Sequence, residues 1–418
     1  MFRFVHAADL HLDSPLKGLD AKDDAPRDVI REAPRRALEA LVQLCLAEKV
    51  AFLLLAGDIY DGDWKDSATG QFFCGQMRRL GDMPVVMIRG NHDAANKMSR
   101  TLPLPRNVHL LGESAAETFL LDQLQIAIHG RSFKDQEVHE NLAREYPEPI
   151  SGWFNIGLLH TSLAGSNTGH DTYAPCSEDQ LVTKGYDYWA LGHIHKREVV
   201  RPSRPAIVFP GNIQGRHVRE TGEKGAYLVE VEDGGALALQ FRRLDQVRWE
   251  VIEHRAAPEG DRDSVLNVAV DAVRELVETE ENRLLVVRYR ISGRTQANEA
   301  LQARAGDVSE TFREMLRNEY HDRVWLESIR FDTEPPSADI PAELDDAMSE
   351  LRAVVAEFAN EPETLKSVAE SLIPLFDKLP LALRIGDEPL KVTDPTWLAG
   401  LLGRVLPILS DAAKVTRP

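Results

Sequence analysis

Short apolar runs bounded by glycine or polar residues recur through the first half of the chain. VAFLLLAGD, PVVMIRGN, QIAIHG, NIGLLH, YWALGH, AIVFPG and GAYLVEVE all have this form, which is that of strands buried on both faces. Between them, residues 33–48 place Leu38, Leu41, Val42 and Cys45 on one helical face, and residues 70–81 also read as a helix. Strand–helix–strand alternation predicts an α/β fold, with sheet layers covered by helices.

From about residue 246 the pattern changes. VRWEVIE, LLVVRYRIS and VWLESIRFD alternate as strands, while SVLNVAVDAVRELVE and DVSETFREMLRNEY repeat at helical spacing. This predicts a compact βαβαβ unit. TEPPSADIP (333–341) is a proline-rich breaker that reads as a linker. Beyond it Leu344, Met348, Leu351, Val355 and Phe358 recur at helical spacing, as do Leu365, Val368, Leu372 and Phe376. Trp397, Leu398, Leu401, Leu402, Val405 and Ile408 form a further apolar set. These helices fit either a small bundle closed on itself or a docking module with a spare apolar face. The expected domains are residues 1–245, 246–333 and 342–418.

Candidate chemistry lies directly behind the apolar runs. Asp9 and His11 stand in VHAADLHLD near the start of the chain, Asp58 ends FLLLAGD, and Asn91 stands in VVMIRGNHD; His160 closes IGLLH, and His193 and His195 end YWALGHIH. Residues at the carboxyl ends of several buried strands converge on one sheet edge, where open α/β folds place their sites. Taken singly, an Asp-x-His reads as a cap, a Gly-Asp as a turn, and Gly-Asn-His-Asp as a self-bonded loop. Five such clusters, each behind a strand, point instead to carboxylate, amide and imidazole ligands for two divalent ions bridged by one carboxylate. That is a phosphoesterase site.

The order Asp-x-His, Gly-Asp, Gly-Asn-His-Asp, His, Gly-His-x-His resembles the calcineurin-like metallophosphoesterase superfamily over residues 1 to about 230. HAADLHLDSPLKGL and FPGNIQGRHVRETGEKG are similar to its DNA-repair exonuclease branch, the SbcD-like nucleases of the YhaO type. The resemblance implies a two-sheet sandwich flanked by helices, with a small α+β capping domain that guides DNA and a C-terminal helical region. It implies that Asp9, His11, Asp58 and His195 hold one ion, and Asp58, Asn91, His160 and His193 the other, with Mn2+ the expected metal. It also implies that His92 protonates the leaving oxygen while Asp93 orients His92. The implied activity is exonucleolytic hydrolysis of DNA in repair, with endonucleolytic cleavage as a further option, together with an SbcC-like coiled-coil ATPase. Docking of that ATPase on residues 342–418 is the implied use of the spare apolar face, and a homodimer is compatible. Two other readings stay open: a phosphoesterase for small phosphodiesters or phosphoproteins, and a non-catalytic scaffold for an ATPase.

Composition modifies this picture in three places. The chain has 418 residues, 43% of them hydrophobic and 28% charged, enough for two or three domains with real cores. Cys45, Cys74 and Cys176 lack metal or disulfide spacing and are expected as small buried residues. The first candidate ligands begin at residue 9, no apolar signal segment precedes them, and no stretch reaches the ~20 apolar residues of a membrane span. A cytoplasmic protein without membrane contact is expected.

Net charge is −18, of which residues 251–418 carry −12, from 20 Lys+Arg against 32 Asp+Glu, leaving −6 for residues 1–250. Such acidity predicts modest DNA affinity for the chain alone. Lys196, Arg197, Arg201, Arg204, Arg216 and Arg219 cluster behind the last ligands, either as a rim for phosphates or as ordinary solvated charges. His6, His109, His129 and His139 lack ligand company, whereas His170 and His217 are candidates for approaching substrate.

Overall fold

A computed structural model of the chain describes residues 1–14, 25–61, 68–95, 102–164, 171–280, 283–336, 346–379, 384 and 390–402. It divides into two compact units, residues 1–250 with 282–285, and residues 251–281 with 286–418.

The first unit is built from two six-stranded sheets. In the first sheet β1 (Phe2–Ala7), β2 (Phe52–Ala56), β3 (Val85–Ile88) and β4 (Val108–Leu110) run parallel. Helix α1 (Arg27–Glu48) joins β1 to β2, and α2 (Ala68–Arg79) joins β2 to β3. A short helix, α3 (Asn91–Ala95), follows β3. The second sheet holds β5 (Glu117–Leu121), β6 (Ile126–Gly130), β7 (Phe154–His160), β8 (Tyr188–Gly192), β9 (Glu198–Arg201) and β10 (Ala206–Phe209), with α4 (Glu178–Thr183) before β8. In it β6, β7, β8 and β10 are parallel, while β5 and β9 are antiparallel edge strands. The chain then returns to the first sheet, where β11 (Gly225–Val231) pairs antiparallel with β1 and β12 (Leu237–Arg243) with β11.

Alternation along each strand explains the layers. In β2, Phe52, Leu54 and Ala56 face the second sheet and pack with Ile128, Ile156, Leu158, Tyr188 and Ala190, while Leu53 and Leu55 face the helices with Leu38, Leu41 and Phe73. The outer face of the second sheet buries Trp189, Leu191 and Ile207 against Tyr146, Leu181 and Tyr186. The expected two-sheet sandwich with flanking helices is therefore the observed fold. Helix α1 starts at Arg27, ahead of the expected 33, and carries Pro34 inside it.

The second unit contains a three-stranded sheet in the order β13 (Val247–Arg255), β14 (Leu284–Arg294), β15 (Val324–Glu334). The helix expected over 264–278 is broken into α5 (Arg262–Asp271) and α6 (Arg274–Thr279). The break falls where the Val273 amide bonds the Val270 carbonyl, three residues back, instead of continuing the α pattern. Helices α7 (Asn298–Ala303) and α8 (Ala305–Tyr320) follow β14. Tyr289 meets Phe312 edge to face and donates its hydroxyl to Ala269. β15 runs on to Glu334, into the stretch expected as linker. Helices α9 (Asp346–Asn360) and α10 (Pro362–Phe376) come next, and Leu365 and Ala369 bury a small cluster with Leu398. Leu344, Val405, Ile408 and the linker residues 337–341 lie outside the described residues. Among the described residues no helix is long and apolar enough to cross a membrane.

Candidate metal centre

The carboxyl ends of β1, β2, β3, β7 and β8 meet where the two sheets face each other, and every strand delivers a polar residue there. Each of these residues is buried: Asp9, His11, Asp58, Asn91, His160, His193 and His195. Four of them hold a left-handed backbone, with φ of 51° at Asp9, 43° at His11, 51° at Asp58 and 96° at His193. Such conformations cost non-glycine residues roughly 1–3 kcal/mol each and persist where surrounding structure over-determines them, as functional sites do. The glycines of the motifs have a steric cause. A Cβ on Gly90 would strike the Asp58 carboxylate, and one on Gly192 would strike the Ala56 carbonyl.

The side chains fall into two adjoining groups. In the first, Asp9, His11 and His195 lie with their ligand atoms within 4.8 Å of one another; His11 Nε2 is 3.0 Å from His195 Nε2. In the second, Asp9, Asp58 and His160 are equally close, and His160 Nε2 is 3.0 Å from Asn91 Oδ1. Asp58 stands between them, its Oδ2 3.4 Å from His160 Nε2 and 3.9 Å from His11 Nε2. Ligands about 2.1 Å from a shared ion and at right angles are about 3.0 Å apart, so these separations suit divalent cations. His11 Nδ1 is buried without a hydrogen-bond partner.

Ring orientation is fixed from outside. His160 Nδ1 donates to Ala56 O at 2.9 Å, which turns Nε2 inward. His195 Nδ1 donates to Glu220 Oε1 at 2.7 Å, which turns its Nε2 toward His11. Such outer partners set the tautomer of ligating histidines. His193 lies beside His160, ring centroids 5.2 Å apart, and its Nε2 donates to Asp171 O at 2.9 Å. The His193 amide also donates to both oxygens of Asp9, at 3.0 and 3.1 Å.

Electrostatics mark a centre of strongly interacting buried groups. Burial pushes the Asp9 carboxyl up to about 7, against the pull of His160. Burial also works to raise Asp58, but the charge and hydrogen bond of His160 override it and hold the group low. Burial would lower His160, yet Asp58 pushes it up to about 9. Divalent cations, when bound, are often the largest local charges in such sites.

His92 stands at the rim, 36% exposed at its side chain, with Nδ1 2.8 Å from Asp61 Oδ1. Burial lowers its pKa, but the Asp61 hydrogen bond and the charges of Asp58 and Asp61 raise it above the ordinary imidazole value. This corrects one expectation: the carboxylate that orients His92 is Asp61. Asp93 accepts instead from the amides of Ile59, Tyr60 and Gly90, at 3.0–3.2 Å, and so fixes the loop that carries Asp58. Asp61 takes further bonds from Ser14 Oγ at 2.5 Å and Arg216 Nη1 at 3.0 Å.

Asp61 and Glu220 are thus site residues that the sequence pattern does not reveal. Asp61, three residues after Asp58, carries a positional signal; Glu220 carries none that its charge alone could supply. The basic cluster is not a free rim. Arg216 turns inward, Arg197 pairs with Glu223 and covers Phe241, and Arg201 and Arg204 pair with Glu178 and Asp187. His6 and His129 are core residues bonded to Tyr188 and to Asn155. His217 is 42% exposed and 3.8 Å from Glu220, and His170 lies outside the described residues. The three cysteines are buried.

Two facing mixed sheets whose strand ends gather this ligand set define a metallophosphoesterase, and the calcineurin-like phosphoesterase family model matches residues 2–197. The chain belongs to that family. A model of the middle domain of metallophosphoesterase YhaO matches residues 249–334. The chain is similar to the uncharacterized metallophosphoesterase YhaO of Bacillus subtilis (strain 168), 34% identical over 336 residues that cover 79% of this chain and 81% of the relative. It is 24% identical to the SbcD component of the SbcCD nuclease of the same organism, over 56% of this chain and 67% of the relative. It is also 24% identical to the DNA double-strand break repair protein Mre11 of Methanopyrus kandleri, over 59% and 58%.

Proposed function

We propose that the chain is a metal-dependent DNA phosphodiesterase, an exonuclease in the first instance, using two Mn2+ ions. Asp9, His11, Asp58 and His195 would hold one ion, and Asp58, Asn91, His160 and His193 the other. The observation that carries the proposal is the His92–Asp61 pair set beside the ligand cluster. A sugar alkoxide is a poor leaving group, so a nuclease gains from a proton donor at this position.

When bound, the ions would supply Lewis-acid charge to the phosphoryl oxygens. The protein's own contribution is placement. Asp58 offers Oδ2 to both groups while its Oδ1 accepts the His92 amide at 2.9 Å, so the bridging carboxylate and the proton donor move together. Asp61 holds Nδ1 of His92, leaving Nε2 to hand its proton to the departing oxygen. Against burial, which lowers it, the Asp61 hydrogen bond and the charges of Asp58 and Asp61 raise the His92 pKa above the ordinary imidazole value, and this favours the proton-donating form.

The names of the nuclease and repair relatives support DNA as substrate. The proposal also gives residues 246–333 a DNA-guiding role and residues 342–418 the docking of an SbcC-like coiled-coil ATPase. Val354, Phe358, Ile373 and Leu375 on α9 and α10 are exposed, which suits such docking. Truncation after residue 335 is then expected to abolish co-purification with that ATPase while hydrolysis of a small diester continues.

The test is digestion of end-labelled duplex and single-stranded DNA with Mn2+, with His92→Asn as control. Degradation by the wild type alone supports the proposal. Hydrolysis of nitrophenyl phosphodiesters with DNA left intact would favour a small-phosphodiester enzyme instead.

A further inference from the structure

We propose that Arg216 is a positioning residue that locks the proton-donating pair His92–Asp61 to the ligand pair His195–Glu220; the proposal rests on the phosphodiesterase reading above. Its side chain is 15% exposed. Nη1 donates to Asp61 Oδ2 at 3.0 Å and Nη2 to Glu220 Oε1 at 2.8 Å. Nε lies 3.3 Å from both oxygens of Glu220, and the Arg216 amide donates to Glu220 Oε2 at 2.8 Å. The two carboxylates so joined each hold one histidine: Asp61 Oδ1 holds His92 Nδ1, and Glu220 Oε1 holds His195 Nδ1. One planar fork therefore spans the acid side and the ligand side of the centre.

Arginine is suited to this because its donors leave a rigid plane in fixed directions, whereas a lysine ammonium is a single point that reaches one partner at a time. Removing the fork leaves Asp61 and Glu220 as buried carboxylates without their shared cation. Asp61 then loses its hold on the His92 ring and Glu220 its hold on His195. With its donors directed at carboxylates, Nη2 also 3.2 Å from His195 Nδ1, and the group mostly buried, Arg216 acts through its neighbours and does not grip substrate phosphate.

The full-length wild type is compared with Asp61→Asn, Arg216→Gln, Arg216→Lys and the double variant Asp61→Asn/Arg216→Gln. Labelled duplex DNA and bis(nitrophenyl) phosphate are the substrates, with Mn2+ affinity read by calorimetry and folding by thermal melts. Arg216→Gln is expected to lose about 10–100-fold on DNA, clearly less on the activated diester, and to weaken binding of one ion. The double variant should be little worse than Asp61→Asn, because residues acting as one unit are not additive. Arg216→Lys should fail to restore the DNA activity.

Wild-type values for Arg216→Gln on both substrates would overturn the proposal. So would equal losses on both substrates with a lowered melting temperature, which would make Arg216 a structural ion pair. If Arg216→Gln does not fold, full activity of Arg216→Lys is the overturning result. A wild type inactive on both substrates would defeat the phosphodiesterase reading itself, while a selective loss of Mn2+ affinity in Arg216→Gln would still report the lock.

Discussion

At the carboxyl ends of β1, β2, β7 and β8 the chain buries Asp9, Asp58 and a ring of imidazoles together, out of solvent. Along β14 and β15 the same chain treats charge in the opposite way. Arg288 pairs with Glu327 at 2.7 Å, Arg290 with Asp332 at 2.6 Å and Arg294 with Glu334 at 3.1 Å, all at least partly in solvent. Of these pairs, Arg290–Asp332 and Arg294–Glu334 are exposed enough to contribute little to stability individually. The sandwich edge instead packs acids and imidazoles together out of solvent, on backbone held left-handed at Asp9, His11, Asp58 and His193, with the Asp9 carboxyl raised by burial. Buried clusters of carboxylates and imidazoles identify the working edge better than charge density does.

Substitutions can sharpen or break that contrast. The largest effect is expected for Asp58→Asn, which removes the shared carboxylate: turnover on any phosphodiester should fall to background and bound Mn2+ should drop, both checked on the same purified sample. Normal turnover there would remove Asp58 from the bridge. His92→Asn comes next, losing roughly 10²–10⁴-fold on DNA with metal content unchanged. Its loss on a nitrophenyl diester should be smaller, since that leaving group needs less protonation.

Asp93→Asn should act on folding more than on chemistry. It weakens the carboxylate that caps three backbone amides, at a cost of about 1–3 kcal/mol seen in denaturant melts. Loss confined to poor leaving groups, with stability unchanged, would return Asp93 to the orienting role now given to Asp61. The smallest effect belongs to the third sheet. Arg290→Ala should cost no more than about 1 kcal/mol and leave hydrolysis of a small diester untouched; a large kinetic effect would mean that this sheet is not self-contained.

The ligand residues are legible because each follows directly on a strand that the apolar pattern reveals, so local order carries the site. The strands that the pattern does not reveal, β4, β5, β9 and β12, are short or half-exposed edge segments such as ETFLL, which lack a continuous buried run. The partners Asp61, Arg216 and Glu220 are not legible as a set. The Arg216–Asp61 contact spans 155 residues and forms only when the loops after β2 and β10 meet, while the Arg216–Glu220 contact, four residues apart, lies in an irregular loop with no periodic pattern to reveal it. Asp93 misleads for the complementary reason: it adjoins His92 in sequence, but its carboxylate accepts from the backbone amides of the Asp58 loop.

The central claim, two ions bridged by Asp58, is tested most directly by electron paramagnetic resonance of the Mn2+-loaded chain alongside metal analysis. Two Mn2+ per chain with an exchange-coupled spectrum, reduced to uncoupled or single-ion signals in Asp58→Asn, is the predicted result. One ion per chain, or two ions whose coupling survives in Asp58→Asn, would contradict it.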